Sequence, residues 1–424
     1  MKRVLIISYV FPPTGGAGVQ RVLKFVKYLR YFGWEPIVAT PREPYAPLKD
    51  PSHEKDLPQG LKVHHLPIIN LGGKAADAVV GQAKTDLGGV KKLLKEMALS
   101  LLFPDHQVVW LATALPGLLR AARKDRAQVI MVTAPPFSSF ILGAMAAKIL
   151  NLPLVLDFRD EWSGFFTKGF KGHGGGAFWR QMVRKLEHSL VGQAGLVIGN
   201  TPGMTSRLAA THGGPSKKYV WIPNGYDADD FTSPADEDLP PAPEPGRLNL
   251  LYTGTVFESH PLDDLFRGLA LMKDQDRQKI SLQVVGRVVP GQKTDPGLPD
   301  FKVDYLPYEP HDQVLKRMAA ADALVMTMAD LPGLERMIPA KLFEYLAVKR
   351  PVLAISPLGA ATAIVEAAGA GQVSLPKDAQ GLADILTNWL VGPPTGLANP
   401  PLFFERRRLT GELARHLDQL IQGI

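Results

Sequence analysis

Residues Arg3–Thr40 read RVLIISYVFPPTGGAGVQRVLKFVKYLRYFGWEPIVAT. The apolar run at Arg3–Ser8 predicts a buried strand, and the amphipathic pattern near Val19–Phe32 predicts a helix. Gly33 is placed to end that helix, and the apolar run at Glu35–Thr40 predicts a second strand. This order of strand, helix and strand is typical of a parallel sheet covered by helices.

The same alternation continues along the chain in two series. In the first series, the predicted strands are Gln128–Ala134, Leu152–Phe158 and Gly195–Thr201, and the predicted helices are Phe178–Val191 and Ser138–Leu150, the latter capped by Ser138 and Ser139. In the second series, the predicted strands are Leu248–Gly254, Ser281–Gly286, Asp322–Met328 and Pro351–Ser356, and the predicted helices lie near Leu262–Met272 and Pro339–Ala347. A stretch rich in proline and acidic residues begins near Pro234 and separates the two series as an exposed connector.

We therefore predict an α/β protein in which two doubly wound, Rossmann-like domains face each other across a cleft. The predicted domains are residues 1–205 and residues 220–400. A charged amphipathic helix within residues 402–424 is expected to pack back on the first domain. Ligands of such sheets bind where the strands end, so the loops that follow the strands are the candidate sites.

The composition narrows the class of protein and its partners. The chain has 424 residues, 46% of them hydrophobic and 21% charged, as expected for a soluble globular protein of two domains. The absence of cysteine excludes disulfides, thiolate catalysis and cysteine-bound metals. We expect a cytoplasmic protein without a signal peptide, because the first apolar run is short and no run of about 18 uncharged apolar residues occurs. The net charge of +7 favours an anionic partner such as a nucleotide or a phospholipid surface. A nucleic acid is not expected, because the sequence shows no long Lys/Arg run.

Three glycines follow the first predicted strand, at Gly15, Gly16 and Gly18. Bare backbone at a helix N-terminus can receive a phosphate, but a tight strand-to-helix turn has the same composition. The dinucleotide-binding fingerprint is incomplete, because Arg21 replaces its third glycine and the second strand ends without an acidic residue. The sequence also lacks the Gly-Lys-Ser/Thr of a P-loop. The loop is therefore either a ligand-binding turn of another kind or a purely structural one.

Three charged residues lie at the end of a predicted strand, at Asp157, Arg159 and Asp160. In one interpretation, Asp157 or Asp160 binds a ligand and Arg159 orients it. In the other, an Asp–Arg pair ties a loop to the scaffold. The isolated histidines lack metal-ligand spacing, so we expect no metal site and only packing or solvated roles for His106, His173 and His260.

The segment Gly333–Ser356, GLERMIPAKLFEYLAVKRPVLAIS, resembles the donor-nucleotide motif of family-4 glycosyltransferases of the GT-B fold. Five further segments resemble the same family in order: FPPTGGAG, TAPPFSSFILG, LVLDFRDEW, IPNGYDADDF and LLYTGTV. The second and third are similar to a subgroup that builds bacterial surface polysaccharides such as lipopolysaccharide. The resemblance implies a GT-B fold and a retaining transfer of a sugar from a nucleotide-sugar to a glycan or polyprenyl-linked acceptor. The nucleotide-sugar would then be a substrate, so we expect no cofactor. The ligand of Asp157 or Asp160 would be an acceptor hydroxyl or the donor sugar.

The resemblance also implies roles for single residues around the helix that follows Pro339. Amides near Ala340 and the charge of Lys341 would bind a diphosphate, and Glu344, one turn later, would accept hydrogen bonds from two ribose hydroxyls. Three glycines would add backbone amides that stabilise the departing diphosphate: Gly15, Gly16 and Gly254. The structural alternative is a capped surface helix on which Lys341 and Glu344 form an i,i+3 pair.

The sequence departs from the family pattern at two places. Many members carry two glutamates separated by seven residues, but Arg336 occupies the earlier position here and Glu335 lies one residue away. Glu335 lies in a predicted loop, from which it could still reach the donor sugar. Many members also carry an arginine and a Lys-Gly pair after the strand that ends at Gly254, and this chain has neither. Lys341, Arg336 and Arg287 would then have to supply the positive charge.

Two basic amphipathic stretches, Val90–Phe103 and Gly164–His188, suggest contact with an anionic membrane surface. For Val90–Phe103, packing against the protein's own core is the alternative. A peripheral enzyme that acts on a lipid-linked acceptor at the inner leaflet is our working hypothesis.

Other functions remain compatible with the sequence. A GT-B-like epimerase or phosphorylase would use the same kind of nucleotide or glycan site. A non-catalytic GT-B subunit of a polysaccharide-assembly complex would explain the missing arginine and Lys-Gly pair. A glycosidase would need a placed pair of carboxylates, for which only Asp157 and Asp160 are candidates.

Overall fold

The computed structural model describes residues 1–44, 48–68, 103–164, 177–231, 246–292, 294–392 and 396–423. The chain divides into two compact units, Met1–Pro223 with Arg407–Ile424, and Asn224–Arg406. Each unit is built around a parallel sheet with helices packed on its faces. None of the helices in the described ranges is both long enough and apolar enough to cross a membrane.

The sheet of the first unit contains seven parallel strands among the described residues: β1 (Lys2–Ile7), β2 (Trp34–Pro41), β3 (Lys62–Leu66), β4 (Val129–Ala134), β5 (Leu154–Phe158), β6 (Leu196–Gly199) and β7 (Tyr219–Trp221). Their spatial order is β3-β2-β1-β4-β5-β6-β7. The helices of this unit are α1 (Ala17–Leu29), α2 (Trp110–Lys124), α3 (Ser138–Leu150), α4 (Ala177–Gln193) and α5 (Pro202–His212).

The sheet of the second unit contains six parallel strands in the described part of the chain: β8 (Leu248–Thr253), β9 (Ile280–Val285), β10 (Val303–Leu306), β11 (Ala323–Thr327), β12 (Val352–Ile355) and β13 (Gly371–Ser374). Their spatial order is β10-β9-β8-β11-β12-β13. The helices are α6 (Asp263–Leu271), α7 (Asp274–Arg277), α8 (His311–Ala320), α9 (Ala340–Val348), α10 (Ala360–Ala368) and α11 (Ala379–Val391).

The last helix, α12 (Arg406–Gln422), covers one face of the first sheet. Its Leu409, Leu413 and Leu417 are fully buried in the same cluster as Val4 and Ile6 of β1. Because successive side chains of a strand point to opposite faces, Leu5 and Ile7 of β1 lie in the second cluster of this unit, on the other face of the sheet. Helix α12 therefore packs on the first sheet through these buried leucines.

In both sheets the strand order reverses beside the first strand of the unit. In the first unit this point lies between β1 and β4, and in the second unit it lies between β8 and β11. The loops at such a point diverge to opposite faces and leave a crevice, which is where α/β sheets bind ligands. The loops that follow these four strands are therefore the candidate ligand-binding loops.

The predicted caps of α3 are wrong, although its limits, Ser138–Leu150, match the prediction. The side chains of Ser138 and Ser139 are fully buried, and neither hydroxyl has a hydrogen-bond partner among the described residues. The amide of Ser138 instead donates to Oδ2 of Asp105 at 2.9 Å. A cap that lies 33 residues earlier in the chain leaves no local sequence signal.

Candidate functional site

In the second unit, the crevice beside β8 is formed by loops that are bonded to each other. The loop after β8 runs from Gly254 to His260, and its Ser259 carbonyl accepts a hydrogen bond from the amide of Ala329 after β11 at 2.9 Å. On the other side, the amide of Val256 donates to the carbonyl of Arg287 after β9 at 2.8 Å. Three strand ends therefore contribute to one continuous edge.

Helix α9 begins at this edge because a buried tyrosine ties it to the strands. The hydroxyl of Tyr345 lies 3.2 Å from the amide nitrogen and 3.1 Å from Oγ1 of Thr253, and donates to the carbonyl of Val325 at 3.3 Å. Pro339 is the N-cap residue and Ala340 is the first helical residue. The first amides of a helix have no intrahelical acceptor, so the start of α9 offers N–H groups and the positive end of a helix dipole.

Lys341 brings a positive charge to the start of α9. Its Nζ donates to the carbonyl of Thr253 at 3.2 Å and lies 3.5 Å from the centre of the Tyr252 ring. Burial lowers the pKa of Lys341 well below its ordinary value. Among the described residues, no carboxylate lies within salt-bridge distance of this amine. The Lys341–Glu344 pair that the sequence allowed is not formed, and an anionic ligand would restore the full charge of the amine.

His260 lies beside this lysine, a role that the sequence analysis missed. It is buried, its Nδ1 lies 2.9 Å from Oγ of Ser259, and its ring stacks on Phe257 with centroids 4.9 Å apart. Burial and the positive charge of Lys341 lower the pKa of His260 to about 3, so the ring is neutral near neutral pH. A neutral imidazole can bind a ligand through a hydrogen bond without adding charge.

Two glycines and an arginine follow the neighbouring strands. Gly254 adopts φ +109° and Gly286 φ +137°, and a Cβ on Gly286 would lie 2.3 Å from the Gly254 carbonyl oxygen. The amide of Gly254 donates to the Val285 carbonyl at 2.9 Å, so it is not available to a phosphate. Arg287 has two buried guanidinium nitrogens, Nε and Nη2, without a hydrogen-bond partner in the described ranges. Arg287 is therefore a second cation with spare donors at this edge.

Glu335 and Arg336 lie in a single turn of 3-10 helix, Leu334–Arg336, and bond to each other. The second carboxylate oxygen of Glu335 accepts from the amide of Gly333 at 2.7 Å. Both side chains remain partly exposed. The charge of Arg336 is thus already balanced by its neighbour, which makes it a weaker candidate for binding a diphosphate than Lys341 or Arg287.

Glu344 lies on the second turn of α9 and faces α8. Its Oε1 lies 2.9 Å from Nε2 of His311, the first residue of α8. The pair is about one-fifth exposed, with side-chain exposures of 17% for His311 and 21% for Glu344. The remaining oxygen, Oε2, makes no hydrogen bond to a described residue. Glu344 therefore presents a carboxylate of fixed orientation with an unused oxygen.

In the first unit, the glycine loop is tied to the segment around Leu48. The amide of Gly15 donates to the Leu48 carbonyl at 2.9 Å, so this amide cannot bind a phosphate. Gly16 is the N-cap residue of α1 and adopts φ +97°, a conformation that favours glycine. Gly15 therefore has a structural role in the loop. Gly16 has no side chain, so it leaves the space before the first turn of α1 accessible.

Asp157 is fully buried and paired with Arg21 of α1, a partner that the sequence analysis did not name. Its two oxygens accept from Nε of Arg21 at 3.1 and 3.0 Å, Oδ1 also accepts from Nη2 at 2.7 Å, and Oδ2 accepts from Oγ1 of Thr133 at 2.8 Å. The same guanidinium donates to the carbonyls of Ile222 and Pro223. The geometry therefore favours the structural interpretation of Asp157, with Arg21 in place of Arg159.

Arg159 and Asp160 differ in their surroundings. The guanidinium of Arg159 donates to the carbonyls of Gly18 and Pro135, which connects the loops after β1, β4 and β5, and burial lowers its pKa. Asp160 forms no hydrogen bond or ion pair with a described residue. Burial raises the pKa of Asp160 above its usual value, although the charge of Arg159 opposes the shift. Of the three residues predicted here, Asp160 alone keeps a carboxylate that is available to a ligand.

Comparison with known proteins identifies the family and the fold of the chain. Residues 15–225 match the family model described as a glycosyl transferase 4-like domain. The solved structure of Anabaena HepE in complex with UDP-glucose aligns with a TM-score of 0.66 and 17% identity over 99% of this chain and 100% of that one. The chain is a family-4 glycosyltransferase of the GT-B fold.

Two other structures support the same fold for this glycosyltransferase. Sucrose-phosphate synthase from Thermosynechococcus elongatus has a TM-score of 0.62 and 16% identity over 100% of this chain and 97% of that one. WaaG, described as a glycosyltransferase involved in lipopolysaccharide biosynthesis, has a TM-score of 0.58 and 16% identity over 99% of this chain and 98% of that one. No curated protein matches the sequence.

The glycosyltransferase gathers most of its predicted donor residues at one edge of the second sheet: Gly254, Arg287, Pro339, Ala340, Lys341 and Glu344. Sequence reasoning missed three further residues, Arg21, His260 and His311. Arg21 and His311 act on partners 136 and 33 positions away, and only the fold reveals such pairings. His260 could have been noticed, because it lies in the loop that lacks the family's arginine and Lys-Gly pair.

Proposed function

We propose that this glycosyltransferase transfers a sugar, with retention of configuration, from a nucleoside-diphosphate sugar bound by its second unit. The surroundings of Lys341 are the main support for this proposal. A lysine whose pKa is lowered by burial and which has no carboxylate partner in the described chain is unfavourable unless an anion binds beside it. The diphosphate of a nucleotide-sugar is such an anion.

The surrounding groups fit the other parts of the donor. Arg287 offers two unpartnered guanidinium nitrogens for the diphosphate. The unused oxygen of Glu344 can accept a ribose hydroxyl, and the neutral His260 can hydrogen-bond a phosphate or sugar oxygen. Lys341, Arg287 and the start of α9 would stabilise the charge that develops on the departing diphosphate. Stabilising this charge is the main catalytic requirement of the reaction.

The leaving phosphate would also receive the proton of the acceptor hydroxyl, so that the enzyme needs no nucleophile of its own. We further propose that the reaction needs no metal, because Lys341 and Arg287 provide the neutralising charge. Full activity after treatment with EDTA is the expected result, and loss of activity that Mg²⁺ restores would contradict this part of the proposal.

Similar structures favour the same kind of donor and suggest an acceptor. HepE was solved with UDP-glucose and with UDP and glucose. WaaB is described as a lipopolysaccharide outer core galactosyltransferase, and WaaG as involved in lipopolysaccharide biosynthesis. We therefore propose a cell-envelope glycan or a polyprenyl-linked oligosaccharide as the acceptor, and Asp160 of the first unit as the residue that binds its hydroxyl.

A membrane surface is the proposed location of the acceptor. Val90–Phe103, apart from Phe103, and residues 165–176 lie outside the described residues. The described part of the second stretch is Gly164 and the residues 177–188 of α4, where Phe178 is 66% exposed and Met182 is 38% exposed. Arg180, Arg184 and Lys185 are exposed on the same helix. Apolar and basic side chains together favour binding to anionic lipid, and sedimentation with anionic but not zwitterionic vesicles would test it.

The donor assignment is tested with the variant Lys341→Met and the control Lys302→Met, which removes an exposed lysine of the same unit. Titration calorimetry with UDP, GDP and dTDP, and with their sugars, should find a nucleotide that the wild type and the control bind equally. Lys341→Met should weaken its binding about tenfold or more, the value of one charged hydrogen bond. Equal affinity in all three proteins would refute the assignment.

The reaction itself is tested by product analysis. With lipid-linked acceptor present, NMR of the product should show the same anomeric configuration as the donor. Conversion of the nucleotide-sugar without any acceptor would instead indicate an epimerase. Donor binding without turnover on any glycan or lipid-linked acceptor would favour a non-catalytic subunit.

A further inference from the structure

The pair formed by His311 and Glu344 has a property that the proposed function does not require. Glu344 has three rotatable side-chain bonds, and an unpaired glutamate on a helix surface would sample many rotamers. Here the hydrogen bond between His311 Nε2 and Glu344 Oε1, at 2.9 Å, selects one orientation. A ligand that binds the carboxylate then loses less entropy than it would with a mobile side chain.

His311 is itself held in place by its helix. It is the first residue of α8, and Leu315 and Met318 of that helix are buried. Just before the helix, Glu309 is bound by Arg317 through two hydrogen bonds, at 2.6 and 2.8 Å. Bidentate pairs of this kind fix geometry as well as add energy. The imidazole therefore approaches Glu344 from a rigid support.

The bond leaves the carboxylate able to bind a second partner. A carboxylate accepts up to about four hydrogen bonds, and His311 uses one position on Oε1. Oε2 makes no hydrogen bond to a described residue, and the side chain of Glu344 is 21% exposed. Two adjacent hydroxyls, such as those of a ribose, could donate to the positions that remain.

We propose that His311 is a positioning residue that orients Glu344 and thereby makes the enzyme select ribonucleotides over 2′-deoxyribonucleotides. This inference rests on the proposed function, in which Glu344 accepts hydrogen bonds from the ribose. It goes further in assigning the selectivity to a residue that does not touch the nucleotide.

The test compares pairs of nucleotides that differ only at the 2′ position: UDP with dUDP, GDP with dGDP, and ADP with dADP. Titration calorimetry first identifies the pair that the wild-type protein binds most tightly. For that pair the wild type should prefer the ribonucleotide by about tenfold, the value of one hydrogen bond to a charged group. His311→Ala should reduce the preference to about twofold, and His311→Gln, whose amide can donate to Glu344, should restore most of it.

The control variant is Arg317→Met, which breaks the other tie of α8 without touching Glu344. It should lower the melting temperature but keep the tenfold preference. If Arg317→Met and His311→Ala reduce the preference equally, His311 acts only by stabilising α8, and the inference is wrong. It is equally wrong if His311→Ala keeps the wild-type preference.

Failure of the proposed function gives a different result. If Glu344→Gln abolishes the ribose preference and His311→Ala does not, the ribose site stands and only the positioning role is lost. If the wild type binds both members of every pair equally, or binds none of them, the role of Glu344 in donor binding fails, and the inference fails with it.

Discussion

Replacing Arg21 by Met should destabilise the first unit more than almost any other single change to a charged side chain. Arg21 and Asp157 have side-chain exposures of 1% and 0%, and the guanidinium also donates to two carbonyls, at 2.8 and 2.9 Å. In Arg21→Met the carboxylate of Asp157 stays buried, and among the described residues its one remaining hydrogen bond comes from the Thr133 hydroxyl. Removing one member of a buried pair costs about 3–5 kcal/mol.

That cost converts to a fall in melting temperature of about 6–20 °C, at about 2–4 °C per kcal/mol for a unit of this size. Scanning calorimetry on the whole chain measures it. The control is Arg30→Met, which breaks a pair with Glu35 whose side chains are 29% and 22% exposed, at a cost of about 0–1 kcal/mol.

The double variant Arg21→Met with Asp157→Leu should recover part of the loss, because the uncompensated charge is gone. If Arg21→Met costs no more than Arg30→Met, the buried pair does not stabilise the unit as argued. A double variant less stable than Arg21→Met would show that the unpaired carboxylate is not the source of the cost.

Three further changes test other parts of the structure. The pKa of Lys341 is lowered in the folded state, so between that pKa and the ordinary value the unfolded chain binds more protons and the stability of the wild type rises with pH. Lys341→Met lacks this penalty and should melt at a higher temperature than wild type near pH 7. Calorimetry from about pH 7 to about pH 10 should show the difference in melting temperature shrinking. Gly286→Ala places a Cβ 2.3 Å from the Gly254 carbonyl oxygen at φ +137°, so it should lower both the melting temperature and the nucleotide affinity. The control Gly291→Ala has φ +90° but open space around it, so backbone strain should lower its melting temperature and leave its nucleotide affinity unchanged. Asp105→Ala removes the acceptor for the Ser138 amide and should cost about 0.5–2 kcal/mol in urea denaturation, and an unchanged midpoint would contradict its role as the cap of α3.

Much of the fold follows from local pattern, because buried parallel strands are continuous apolar runs. β1, β4, β8 and β11 match predicted strands to within about two residues. β3 escaped prediction for a physical reason: it is an edge strand, KVHHL, in which only the last residue is buried. Its half-exposed side chains lack the apolar run that marks a central strand.

Single residues of the site were predictable from local motifs, but the pairings between distant residues were not. Lys341 and Glu344 share one helix, and a motif of consecutive residues revealed them. Whether Asp157 binds a ligand or Arg21 depended on which helix packs beside β5, and the sequence contains no information on that pairing at a separation of 136 residues. The sequence likewise could not show that Asp160 has no hydrogen-bond partner among the described residues, or that burial lowers the pKa of Lys341.

The position of α12 has a consequence for how the chain folds during synthesis. The face of β1 that holds Val4 and Ile6 is covered by leucines that follow the whole of Asn224–Arg406 in the chain. A ribosome adds about 5–20 residues per second, so translation of the intervening segment takes about 10–40 s. Throughout that interval the nascent first unit exposes an apolar surface that its own later residues will cover, and such a surface is a natural substrate for chaperones.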